Sequence, residues 1–121
     1  MTPHPRTSLV LHAARTLLSV PNLWAPTLPD GDSSECQGAV NAYGEVVRPH
    51  DLGAVRWTAI GAIWKAGRAH TLSARLGACE CLDLVVNTDF EKWSEDPSRT
   101  LSELLHAFDA ATTLARRETL K

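Results

Sequence analysis

The sequence lacks the motifs that usually reveal a chemical activity. Its 121 residues contain no glycine-rich phosphate loop, no complete metal-ligand spacing and no nucleophile elbow. These absences remove the common sequence evidence for a nucleotide-binding protein, a metalloenzyme or a hydrolase. What remains is evidence about the fold.

The sequence also has little net charge and few cysteines. Twelve basic and fourteen acidic residues give a formal net charge of −2, which provides no basic surface for nucleic acid or an anionic membrane. No apolar run has the length of a membrane span, and prolines interrupt the position of a secretory signal. Three cysteines cannot close a disulfide framework. The sequence therefore predicts a cytoplasmic protein with free thiols, no cofactor, and neither a nucleic-acid nor a membrane partner.

The apolar pattern predicts a mostly α fold with a minor β part. We expect residues 1–121 to form one domain of four helices, with one short β-hairpin between the first two. Residues 1–7 are expected to be a flexible N-terminus, with Thr7 or Ser8 capping the first helix.

Residues 22–35 are predicted to form a loop, because prolines, glycine and serines dominate them. A loop of this length is long for a small domain. We expect Trp24 to attach it to the core and mobility to centre on Gly31.

Val40 and Val46 flank the Tyr43-Gly44 pair, which is typical of a tight hairpin turn that needs a positive φ at glycine. The sequence therefore predicts a two-stranded hairpin over residues 37–47. Because an isolated hairpin is marginal in water, we expect it to pack against the second helix, on Val55 and Ile63.

The second helix is predicted to begin at Asp51, a favourable N-cap, and to end at Gly67. Gly61 would cost about 1 kcal/mol within such a helix. We therefore expect another backbone to approach it closely. The apolar positions that define the helix are Leu52, Val55, Trp57, Ala59, Ile60, Ile63 and Trp64.

Thr71 is predicted to open the third helix, which ends at Leu82 or Val86, and Phe90 and Trp93 are assigned to the loop that follows. A capping box then marks the start of the last helix, because a threonine at position 100 precedes a glutamate at position 103.

Three short motifs resemble a family of small uncharacterised proteins found mostly in actinobacteria and their phages. They are Gln37-Gly38-Ala39, Ala54-Val55-Arg56-Trp57 with Ile60-Gly61-Ala62, and Trp93 followed by Arg99-Thr100. The sequence departs from the family at Thr58, where cysteine is common, and at Ser94-Glu95, where an Asn-Asp pair is frequent. The resemblance supports the predicted helical fold, and the family has no known activity to carry over to this chain.

Two cysteine arrangements were candidates for chemistry. Cys36 and His50 are the one nucleophile and base that the hairpin would bring together, but no oxyanion-binding turn surrounds Cys36. Cys79 and Cys81 point about 200° apart on a helix, so they cannot share a metal ion. We therefore predict no catalytic residue and no metal site.

Arg56 and Asp83 interrupt apolar helical faces with opposite charges. Because a lone buried charge is prohibitive, the pattern predicts that the two form a mostly buried ion pair between the second and third helices.

The leading functional hypothesis is a non-enzymatic protein-binding module, acting on another protein or through self-association. Tryptophan, tyrosine and arginine dominate interface hot spots. The resemblance suggests a concrete version, a phage or mobile-element accessory protein that binds and inhibits a host or defence complex. The alternative is a small enzyme or anion binder with a pocket near the hairpin, formed by Arg56, Cys36 and His50. The candidate binding residues are Tyr43, Arg56, Trp57, Trp64 and Trp93.

Overall fold

The computed structural model describes residues 4–20, 22–26 and 38–119. The predicted fold class, mostly helical with a minor β part, is confirmed. Within the described residues the chain has five α-helices and three strands, one helix and one strand more than predicted. In chain order these are α1 (Thr7–Ser19), β1 (Ala39–Asn41), β2 (Val46–Val47), β3 (Ala54–Trp57), α2 (Ala59–Ala66), α3 (Leu72–Val86), α4 (Phe90–Ser94) and α5 (Leu101–Thr119).

The core lies between the helices, with α1 packed against α5, α2 and α3. In α1 and α3 the buried residues are spaced three or four apart, so that one face of each is buried. The helix α2 is buried on all sides over residues 59–63. Phe90 packs edge-to-face on Phe108, with the ring centroids 5.7 Å apart. The largest fully buried apolar side chains include Val10, Leu11, Leu18, Ile63, Leu82, Phe90, Leu104 and Phe108. Within the described residues, no helix is both long and apolar enough to cross a membrane.

The small sheet has the order β2-β1-β3, with both outer strands antiparallel to β1. The predicted hairpin is confirmed, since Val40 pairs with Val46 and Gly44 has a φ of +80°. The start of the hairpin contacts the start of α2, where Thr58 N donates to Gly38 O at 3.0 Å. Val55 does not contribute to that contact as predicted, because it lies partly exposed on β3.

The prediction that the second helix begins at Asp51 is wrong. Residues 54–57 form β3 instead, and α2 begins at Ala59 with Thr58 as its cap, accepting a hydrogen bond from Gly61 N at 3.0 Å. The Asp51 carboxylate caps a turn, since it accepts from Gly53 N at 2.7 Å. The local apolar pattern favoured a helix over residues 54–57. Hydrogen bonds to β1 and to residues 23–25 hold this stretch in an extended conformation instead.

Trp24 attaches its segment to the sheet, as predicted. It forms a parallel bridge with Trp57, in which Trp57 N donates to Leu23 O and Ala25 N donates to Trp57 O, both at 2.8 Å. The expected mobility at Gly31 falls outside the described residues.

The expected close approach at Gly61 is confirmed. A Cβ added to Gly61 would overlap the backbone carbonyl of Gly38. Thr7, by contrast, does not cap α1: it is buried within the helix, and its hydroxyl points at Ala74 O, 3.4 Å away. Gly77 makes room for it, because a Cβ there would lie 2.6 Å from the Thr7 hydroxyl oxygen.

The last three helices follow clear local signals at their starts. Thr71 caps α3, which continues to Val86, the longer of the predicted limits. At α5 the predicted capping box is present: Glu103 N donates to the Thr100 hydroxyl at 3.1 Å, and Thr100 N donates to the Glu103 carboxylate at 3.0 Å. Residues 90–94, predicted as loop, form the short helix α4, capped by Asp89.

Candidate functional site

Among the described residues, the two most exposed large apolar side chains lie at one end of the sheet. Tyr43 is 88% exposed and Leu52 is fully exposed. Asn41 pairs with Ala54, so the β1-β2 turn and the turn before β3 meet at this end. We call residues 42–45 and 51–53 together the turn end.

Hydrogen bonds hold both turns of the turn end in place. The Asn41 side-chain oxygen accepts from Tyr43 N at 2.9 Å and from Glu45 N at 3.0 Å. The Asp51 carboxylate accepts from Gly53 N, which fixes the second turn. Such Asx turns are ordinary local chemistry for Asn and Asp. They hold the backbone segments that carry Tyr43 and Leu52.

The predicted ion pair between Arg56 and Asp83 is wrong. Arg56 lies exposed on β3 rather than on a helix, and Asp83 is also exposed. Asp83 instead accepts a hydrogen bond from Phe90 N at 2.8 Å, which ties the end of α3 to the start of α4. This hydrogen bond to the backbone of α4 explains why an acidic residue lies among the apolar positions of α3.

The other predicted binding residues are dispersed. Trp57 is buried, and its indole N–H donates to Pro49 O at 2.7 Å. Trp64 is half-buried with the Arg75 guanidinium 4.8 Å above its ring. Trp93 is half-buried beneath the Arg99 guanidinium at 3.8 Å. Only Tyr43 and Arg56 of the predicted set are exposed.

The alternative site near the hairpin stays a prediction. His50 and Arg56 are exposed and line none of the three cavities described below, and Cys36 falls outside the described residues. Within the described part of the chain, no group of three potential metal ligands comes together.

Cys79 and Cys81 both lie on α3 as free thiols. Burial, followed by the charges of Asp83, Glu91 and Glu80, raises the pKa of Cys79 to about 12. Burial, followed by nearby glutamates, raises the pKa of Cys81 to about 11. Reactive cysteines need the opposite shift, so neither thiol has the character of a nucleophile.

A groove that the sequence did not predict lies between α2, α3 and α4. Its cavity volume is about 350 Å³, and it depends on the unpredicted helix α4. Asp89, the cap of that helix, was the signal that could have located it. We call it the acidic groove, lined by Ile60, Trp64, Cys79, Asp83, Asp89, Phe90 and Glu91.

Two further cavities lie beside α5, with volumes of about 570 and 460 Å³, and both are lined by Ser102 and His106. Asp109 follows one turn later, so a serine, a histidine and an aspartate share one helical face. They do not form a catalytic triad, because no hydrogen bond joins them within the described residues and Asp109 is paired with Arg15 at 2.9 Å.

Comparison with known proteins places the chain within a family model. A family model described as a family of unknown function (DUF6197) matches residues 2–114. No curated protein and no solved structure matched the chain.

Proposed function

Because the chain belongs to this family of unknown function, over residues 2–114, we propose a function from its surface. We propose that it is a non-enzymatic protein-binding module that contacts its partner through the turn end. The observation that carries the proposal is the exposure of Tyr43 and Leu52 on two hydrogen-bonded turns that meet at the same end of the sheet.

Two physical arguments support this proposal. Single exposed apolar residues are common, but here two large ones protrude from turns at the same end of the sheet, where one partner surface can cover both. Fixed turns also lower the entropy lost on binding, because the backbone is already ordered. Tyrosine is among the residues that contribute most at interface centres.

The partner in this proposal is another protein, with self-association as a second form of it. The resemblance to proteins of actinobacteria and their phages supports a narrower version, in which the partner is a host or defence complex that the module inhibits. A cytoplasmic location is part of the same proposal, which the free thiols of Cys79 and Cys81 support.

Affinity purification tests the proposal. The tagged wild-type protein and the double variant Tyr43→Ser/Leu52→Ser would be used to capture proteins from extracts of the source organism. Candidates would then be purified, and their affinities measured for each variant. We expect the double variant to bind at least about tenfold more weakly, as loss of hot-spot residues produces.

A matched control is available on α3, where Leu84 is 60% exposed and distant in sequence from the turn end. Leu84→Ser should retain the affinity of the wild type. If the double variant and the control bind the purified partner equally well, the turn end is not the interface.

A further inference from the structure

The acidic groove has an apolar floor. Ile60 of α2 and Phe90 of α4 are buried there, while Trp64 and Cys79 are half-buried. The volume of about 350 Å³ is sufficient for one or two side chains of a partner rather than for a whole helix. The groove is therefore suited to an anchoring side chain.

Apolar surface continues from the groove along α3. Leu72 is 52% exposed and Leu76 is 48% exposed. Together with Cys79 they recur at intervals of four and three residues, which places them within about 60° on one face of the helix. An amphipathic helix that lies along a groove can contact residues spaced in this way.

The charge of the residues that line the groove indicates which kind of side chain it can bind. Asp83, Asp89 and Glu91 line it, and among the described residues no cationic side chain does. Asp83 and Asp89 are fixed, since each accepts a backbone N–H of α4, from Phe90 and from Lys92.

None of the cations on the same three helices lines the groove. The Lys65 ammonium lies 5.9 Å above the Trp57 ring, and the Arg75 guanidinium lies 4.8 Å from the ring of Trp64, a residue that does line the groove. Lys92 of α4 is exposed and does not line the groove. The raised pKa of Cys79, which follows from burial and then from the nearby carboxylates, is consistent with a negative potential at the floor.

We propose that the acidic groove binds a basic amphipathic helix of a partner protein, with one lysine or arginine as its anchor. The aliphatic stem of that side chain contacts the apolar floor, and its cation reaches the carboxylates at the rim. Leucines one turn away on the same partner helix contact Leu72 and Leu76. The inference shares protein binding with the proposed function but uses a surface separate from the turn end, so each can fail alone.

A synthetic peptide tests this inference directly. The probe is a fluorescein-labelled helix of about 18 residues that carries leucines and, one turn away on the same face, lysine or arginine, with neutral polar residues on the opposite face. An otherwise identical peptide with glutamate in place of every basic residue is the control. Binding to the full chain is measured by fluorescence anisotropy at low and at physiological salt.

The variant that removes negative charge from the groove is Asp83→Asn/Asp89→Asn. Asparagine retains the oxygens that accept from α4 and is itself a good N-cap, so the groove should keep its shape while losing two charges. The matched control is Glu45→Gln/Asp51→Asn, which removes two charges at the turn end and keeps the acceptor oxygens of those residues. For the apolar row, Leu76→Ser is compared with Leu84→Ser.

We expect the basic peptide to bind, with an affinity that falls as salt increases. The Asp83/Asp89 variant should bind at least about tenfold more weakly, and Leu76→Ser should also weaken binding. The two control variants should stay within about twofold of the wild type. Tyr43→Ser/Leu52→Ser should leave peptide binding unchanged, which separates this site from the turn end.

Three results would overturn the inference. The first is failure of the basic peptide to bind, or equal binding of the acidic peptide. The second is equal weakening by both charge variants, which would show a response to net charge alone. The third is a concentration-dependent dimer in sedimentation experiments that the Asp83/Asp89 variant dissociates, which would make a second copy of the chain the occupant.

Discussion

Gly38 and Gly61 are in direct backbone contact, and this contact joins the start of β1 to the first turn of α2. A Cβ added to Gly38 would lie 2.5 Å from the Cα of Gly61. In the reverse direction, a Cβ on Gly61 would overlap the Gly38 carbonyl, which also accepts the hydrogen bond from Thr58 N. The sheet and the second helix therefore meet without side chains between them.

Gly61→Ala should destabilise the protein by about 3 kcal/mol, although alanine is the better helix former. The reason is that neither backbone can move without breaking the cap of α2 or the pairing of β1. Urea unfolding followed by circular dichroism measures the effect. Ser73→Ala on the exposed face of α3 is the control and should change the unfolding free energy by less than about 0.5 kcal/mol. A neutral or stabilising Gly61→Ala would contradict the contact.

Thr100→Ala should lower the unfolding free energy by about 1 kcal/mol, because the Thr100 hydroxyl accepts an otherwise unpaired N–H in the first turn of α5. Thr100→Ser retains the hydroxyl and should recover most of the loss. Thermal unfolding of the two variants and the wild type makes the comparison. Equal losses in both variants would assign the effect to the lost methyl group.

Glu103 should make stability depend on acid pH. Its pKa is lowered from the ordinary value of 4.5, chiefly by the Thr100 N–H and then by Arg99 and the Thr100 hydroxyl. A carboxyl group with a lowered pKa stabilises the folded state above its unfolded pKa, and that stabilisation is lost as pH falls through the folded pKa. Asp96, lowered mainly by the Ser98 N–H, acts in the same sense.

The difference in stability between wild type and Glu103→Gln should therefore be greatest near neutral pH and should shrink on acidification to about pH 3. Urea unfolding at a series of pH values measures it. Glu45→Gln serves as the control, for an exposed glutamate on the hairpin. A wild-type to Glu103→Gln difference that stays constant with pH would show that the carboxylate charge has no role in the cap.

Trp57→Phe should cost about 1 to 3 kcal/mol, because it leaves the Pro49 carbonyl without the buried donor that it now has at 2.7 Å. Trp64→Phe is a suitable comparison, since the Trp64 ring is half-buried and stacked against Arg75. Chemical unfolding of both variants gives the two values. A smaller loss at Trp57 than at Trp64 would contradict the importance of the indole hydrogen bond.

The thiols of α3 should react slowly. With a pKa raised to about 12 for Cys79 and about 11 for Cys81, little thiolate is present near pH 8. In a Cys36→Ser background we expect labelling by a disulfide reagent to be at least about tenfold slower in the native protein than in urea. Rapid labelling of the native variant would show that α3 opens or that the thiols are more accessible. Cys36 itself is predicted to be dispensable for function.

The parts of the fold that local chemistry dictates could be predicted from sequence. Thr71 and Thr100 cap helices through side chains only three residues from their donors, so the pattern alone identifies those helix starts. The hairpin around Gly44 was also predictable, since its turn requires a positive φ.

The parts that distant contacts dictate could not be predicted. The stretch from Asp51 to Trp57 has a helical apolar pattern, yet its strand depends on partners in Leu23, Ala25 and β1 that no local signal specifies. The acidic groove escaped prediction for the same reason, because α4 has only five residues and too few turns to show periodicity. Tyr43 was predicted as a binding residue. The exposure of Leu52 was not predicted, because Leu52 was assigned to the apolar face of a helix that does not form there.

The arrangement of the sheet also bears on the solubility of the folded chain. Sheet edges with unpaired amides can recruit strands from other molecules and so begin aggregation. Here one edge, β2, is two residues long, and the outer edge of β3 is covered at Trp57 by Leu23 and Ala25. In the described part of the chain neither edge offers a long template, which limits edge-to-edge pairing between copies of this protein.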